Sequence, residues 1–111
     1  MKSTVSLIEL AETELARAVE SDNGRSAVTV RGGRDQQLRQ TLMALRAGEG
    51  LAEHASPGEA TLQVLIGRVT LRSGEQSWSG VVGDLLPLPE AVHALDAIED
   101  SVILLTVVKA P

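Results

Sequence analysis

The chain has 111 residues, a formal charge of −5, a single aromatic residue (Trp78) and no cysteine. An acidic surface repels phosphate backbones and one indole makes no stacking platform, so nucleic acid is not an expected partner; without cysteine there is no disulfide framework, thiolate ligand or thiol nucleophile. There is no apolar run of about 18 residues, so no membrane-spanning helix is expected, and no charged–apolar–small start marks a signal peptide. The expectation is a cytoplasmic protein folding as one domain.

The first element in the chain is an amphipathic helix. Ser6 and Glu9 form a capping-box pair, with Val5 and Leu10 placed as a hydrophobic staple. Ile8, Ala11, Leu15, Ala18 and Val19 repeat at helical spacing, and Glu9, Glu12, Glu14, Arg17 and Glu20 occupy most of the remaining positions. Asp22-Asn23-Gly24 ends the helix, because Asn and Gly tolerate the left-handed conformation. Residues 1–24 are thus expected to be a helix packed on the domain formed by 25–111.

Short strands follow. Residues 26–31 form the first, and Gly32-Gly33 turns the chain. Leu38 to Arg46 alternates Leu38, Leu42 and Ala44 against Thr41, Met43 and Leu45, apolar on both faces, with Arg39 and Arg46 as solvated ends. Such a strand is covered twice. A small barrel does not easily cover both this strand and the amphipathic helix with its own chain, so a homodimer is expected. Residues 61–66 read as a strand closed by Gly67. Ser73-Gly74-Glu75 makes a hairpin between 69–71 and 76–78. Gly83-Asp84 is a turn with Asp84 holding it, and 101–108 is the last strand. Short strands at regular spacing with Gly and Pro turns indicate a closed all-β architecture.

Between Gly48 and His93 lie the residues with most chemical content. Gly48 is followed after five residues by His54, then Ser56, Pro57, Gly58, Glu59 and Ala60; Gly83-Asp84, Pro87, Pro89 and His93 come later. This pattern resembles the two motifs of the cupin superfamily, small single-domain barrels. The resemblance implies an all-β, cupin-type double-stranded β-helix (jelly-roll) barrel, here with an N-terminal α-helix. It also implies a metal site of three His and one Glu. His54 matches the first His and His93 the last. Ser56 stands at the second His and Ala60 at the Glu. Glu59 is one residue early, an offset that on a strand aims a side chain at the opposite face.

Three readings of the pair remain. His54 and His93 are pocket residues bonded to each other, water or backbone; or they bind a small organic molecule with Ser56; or they hold a divalent metal with Glu59, Glu53 or water. Two protein ligands fall short of the usual three or four, so no cofactor is expected. The pocket is expected to include His54, Ser56, Ala60, Leu62, Val64, His93 and Leu95. The functional expectation is a metal-free or weakly metal-binding small-molecule-binding barrel. The alternative is a metal-dependent cupin enzyme, of dioxygenase or isomerase type, with a degenerate His54/His93 site. A third reading is a dimer whose pocket is vestigial. Ser56 lies in no Gly-x-Ser-x-Gly elbow and is not an expected nucleophile; Trp78 is expected to pack in the core or at an interface.

Overall fold

The structure, a computed structural model, describes residues 4–55 and 58–109. The helix α1 covers Leu7–Glu20. Nine strands follow: β1 Arg25–Arg31, β2 Leu38–Leu45, β3 Gly50–His54, β4 Gly58–Ile66, β5 Arg68–Ser73, β6 Gln76–Val81, β7 Leu85–Pro87, β8 His93–Ala97 and β9 Ser101–Lys109. They form two antiparallel sheets, one ordered β1-β2-β9-β4-β7 and the other β3-β8-β5-β6. The chain changes sheets at β2–β3, β3–β4, β4–β5, β6–β7, β7–β8 and β8–β9. The result is the expected jelly-roll sandwich, all-β apart from α1.

The interior is aliphatic. Leu45, Leu62, Val64, Val69, Leu71, Leu86, Leu95, Ala97 and Ile103 form one buried cluster, joined by Met43, Leu51 and Leu88. Branched and long aliphatics fill it because the chain has neither Phe nor Tyr. A second cluster lies on the outer face of the larger sheet. There Leu42, Ala44, Val102 and Leu104 meet Ala11 and Ala18, with Leu7, Leu10, Leu15, Val28 and Val30 around them. Strand β2 is therefore apolar on both faces as read, with Met43 and Leu45 inward and Leu42 and Ala44 outward. The outer cover is the chain's own helix. Covering this strand therefore does not require a second subunit.

The helix begins at Ser6, whose hydroxyl accepts from the Glu9 amide at 3.2 Å. Its buried stripe differs from the expected one. Ile8 is 73% exposed and Val19 is also exposed, whereas Glu14 is buried at 3%. The stripe runs Leu7, Leu10, Ala11, Glu14, Leu15 and Ala18, which is helical spacing with a carboxylate in it. Glu14 is tolerated there because it is paired. Ser26 donates to it from β1 at 2.5 Å and Arg17 at 3.0 Å.

The end of the barrel away from β3–β4 is closed by Gly67 and Ser101. Gly67 has φ +84°, and a Cβ there would lie 2.3 Å from both the Asp100 carbonyl and the Ser101 hydroxyl. Only glycine fits both demands. The wholly buried Ser101 hydroxyl donates to the Glu99 carbonyl at 2.7 Å and accepts from the Arg68 amide at 3.1 Å. Asp84 holds its own turn, accepting from the Val81 amide at 2.9 Å. Trp78, opposite Leu71 on β6, keeps 40% of its surface exposed.

Candidate functional site

His54 ends β3 and His93 begins β8, and the two are directly paired across the ladder. A β-bulge makes this so. Leu51 pairs with Leu95, and regular counting from there would set Glu53 opposite His93. The ladder shifts by one residue between Leu51 and His54, so His54 takes that place. A bulge re-aims side chains in this way. Leu95 and Ala97 follow His93 along the inward row of β8, and directly opposed residues share a face. The motif histidines therefore stand together on the inner side of the smaller sheet.

The imidazole centroids are 4.8 Å apart and the ring planes are inclined at 56°. His93 is the inner member, 3% exposed, and His54 is the outer, exposed member. Each ring is held by the backbone carbonyl two residues before it. His54 Nδ1 lies 2.8 Å from the Ala52 carbonyl oxygen and His93 Nδ1 lies 3.0 Å from that of Ala91. A carbonyl oxygen only accepts, so each Nδ1 carries its proton and donates it. In the neutral form the lone pair is then on Nε2 of both rings. The site has two acceptor nitrogens of set orientation.

Further along the inward rows from the pair's end of the barrel, Leu62, Val64 and Leu95 are closed into the aliphatic cluster. Ala60 lies on the inward row of β4, two and four residues before Leu62 and Val64. Glu59 is exposed and faces the opposite way, paired with Val108. It borders an open cleft of about 410 Å³ together with Ala60, Thr61, Leu88, Glu90 and Thr106. The one-residue offset therefore acts as strand parity requires. Ser56 lies outside the described residues.

Charges on the outer face of the smaller sheet belong to a separate group. Arg72 donates to Asp96 through Nε at 2.5 Å and Nη2 at 3.3 Å. That hydrogen bond, then the attraction of Asp96, raises the Arg72 pKa, and Glu53 adds to the same field. The bulge that turns His54 inward leaves Glu53 near this exposed pair.

The donor set does not fit the four-ligand metal centre that the motif resemblance implies. Among the described residues no three His, Cys, Asp or Glu side chains converge. At the position where the resemblance expects the carboxylate, the inward group is the Ala60 methyl.

One charged residue of the mouth escaped the sequence reading. Arg39, expected at a solvated strand end, is half-buried and stands on the inward row of β2, paired with Val107. Counting two residues at a time back from Met43 was the signal that could have found it.

No family model and no curated protein matches the chain. Solved structures do match. A cupin superfamily protein from Desulfitobacterium hafniense superposes with a TM-score of 0.80 at 17% identity, over 99% of this chain and 94% of that one. A conserved protein of unknown function from Streptococcus pyogenes gives 0.77 at 22% identity, over 100% and 91%. An RmlC-like cupin from Desulfovibrio desulfuricans gives 0.71 at 23% identity, over 97% and 96%. The fold is that of the small cupins, as the spacing of the two histidine motifs implies. Fold alone does not choose a reaction, because one barrel supports many unrelated sites.

Proposed function

We propose that this cupin-fold barrel binds a small organic molecule at its mouth, through the His54–His93 pair and without a resident metal. One observation carries the reading: two imidazoles in contact, each with Nδ1 committed to a backbone carbonyl, at one end of an aliphatic interior. Rings fixed in this way present Nε2 to a ligand at little ordering cost. Polar groups at the rim and apolar side chains further in are the usual make-up of a small-molecule site. The rigid pair is also what a metal enzyme would use, but such an enzyme needs a third and fourth donor. Ala60 supplies none.

The protein is further proposed to be a cytoplasmic homodimer. The compartment is part of the proposal; a chain without cysteine is compatible with a reducing one. No helix among the described residues is long and apolar enough to cross a membrane. The dimer is supported by the exposed apolar residues Val81, Val82 and Leu85 at the β6–β7 corner, where a partner would remove them from water.

Native mass spectrometry with elemental analysis of the purified protein tests these points together. The expected result is a mass of two chains, a retained organic ligand lost in His93→Ala, and no stoichiometric metal. Stoichiometric iron, manganese, nickel or zinc that disappears in His54→Ala would overturn the metal-free reading, and a single-chain mass at micromolar concentration would overturn the dimer.

A further inference from the structure

Near the mouth of the barrel lies a cation whose hydrogen-bonding capacity the fold uses only in part. Arg39 pairs with Val107, and Val107 pairs with Ala60. Ala60 lies in the inward row with Leu62 and Val64, so Arg39 is on the inward register too, ahead of Thr41, Met43 and Leu45. Strand β2 lies near β3, since only residues 46–49 join them and Met43, Leu45 and Leu51 belong to one core cluster and line one cavity. The chain runs down β2 and back up β3, so Arg39 near the start of one and His54 at the end of the other share the open end.

The Arg39 stem passes over Gly32, where a Cβ would come to 3.4 Å from Arg39 Cγ. Its Nη2 donates to the Gly33 carbonyl at 3.2 Å. Its Nε is buried and has no hydrogen-bond partner. A buried guanidinium N–H without an acceptor is costly, and such a group in a native structure calls for a partner the bare chain lacks.

We infer that Arg39 anchors the carboxylate of a small hydroxy acid in the barrel mouth, with the ligand hydroxyl donated to Nε2 of His54 or His93. The inference rests on the proposed binding site and names the class of ligand it takes. A guanidinium offers parallel N–H donors in one plane, which match the two oxygens of a carboxylate. The imidazoles call for the opposite group. With Nδ1–H already used, neutral Nε2 accepts, so the ligand must bring an O–H donor within reach of its acid group. Leu62 and Leu95 further in suit a short apolar body. Glu59 is on the other face of β4 but borders a cleft with Ala60 and Glu90, so the Arg39 charge must outweigh these carboxylates for an anion to bind.

The test is calorimetric titration with a panel of 2-hydroxy acids running from lactate to mandelate, each beside its neutral amide. At least one acid is expected to bind the wild type, with its amide about tenfold or more weaker, the value of one charge-assisted hydrogen bond. Arg39→Gln is expected to lose the acid-over-amide preference, and Arg39→Lys to retain part of it. Trp78 fluorescence and thermal melting verify that each variant is folded. Equal binding of acid and amide, or an unchanged preference in Arg39→Gln, overturns the role of Arg39 while leaving a ligand-binding barrel. Binding of some other retained ligand but of no acid in the panel overturns the hydroxy-acid inference alone. An empty barrel in native mass spectrometry together with no binding in the panel overturns both.

Discussion

The two ends of the barrel treat their polar groups in opposite ways. At the closed end the Ser101 hydroxyl is wholly buried and bonded to Glu99 and Arg68, and Gly67 lets the backbone pass against it with no room for a side chain. At the open end Arg39 Nε is buried and unbonded, and two imidazoles keep their Nε2 acceptors. Satisfying every group makes a rigid seam, because any change leaves a donor or acceptor exposed to an apolar interior. Leaving groups unsatisfied reduces stability and creates binding capacity. On the proposed function, stability and binding are separated along the barrel axis, and substitutions at the two ends should differ in size and, at Arg39, in sign.

The largest effect is expected at the closed end. Gly67→Ala combines a left-handed backbone with a Cβ driven into Asp100 and Ser101, and should cost roughly 2–5 kcal/mol. The urea midpoint measures this. A midpoint within error of the wild type would show that the seam is slack and would remove the contrast.

A smaller effect comes from refitting the open end. Ser56→His with Ala60→Glu restores the residue types of the implied metal set. The added carboxylate, unpaired when no metal is present, should lower stability by about 1–3 kcal/mol. Nickel or iron should recover that loss by mass action, while leaving the wild-type melting temperature unchanged. Titration of both proteins checks it; failure of the double variant to gain metal affinity would mean these positions do not converge with His54 and His93.

The smallest effect, and the one with the opposite sign, is at Arg39. Arg39→Leu removes an unbonded buried N–H together with one hydrogen bond to Gly33, so stability should stay level or rise by up to about 1 kcal/mol. A loss greater than 2 kcal/mol, roughly, would show the guanidinium to be structural and make the two ends alike.

The sequence alone determined what depends on neighbours in the chain. Ser6 and Gly24 bracket a helix, alternation marks β2, Gly67 closes the strand before it, and Gly74 and Gly83 mark turns, because caps, periods and positive φ are local properties. The spacing from Gly48 to His93 carried the barrel and its histidine pair through a motif resemblance. Strand parity also pointed Glu59 away from the pair, since a residue's face follows from counting, but it left Glu59 among the possible ligands until the register of β4 on β9 placed it. Tertiary structure decided the rest. The bulge that sets His54, and not Glu53, against His93 depends on the partner strand, which a single strand's sequence does not encode. Glu14 reads as surface by its charge and is buried only because Ser26 and Arg17 reach it. Covering β2 with the chain's own helix is a contact between elements far apart in sequence. Arg39 reads as the solvated end of a strand; its inward register and unbonded Nε arise only once β2, β9 and β4 lie side by side. Local patterns choose elements, whereas the pairing of distant strands chooses which polar groups face the interior, and at the open end that pairing makes the site.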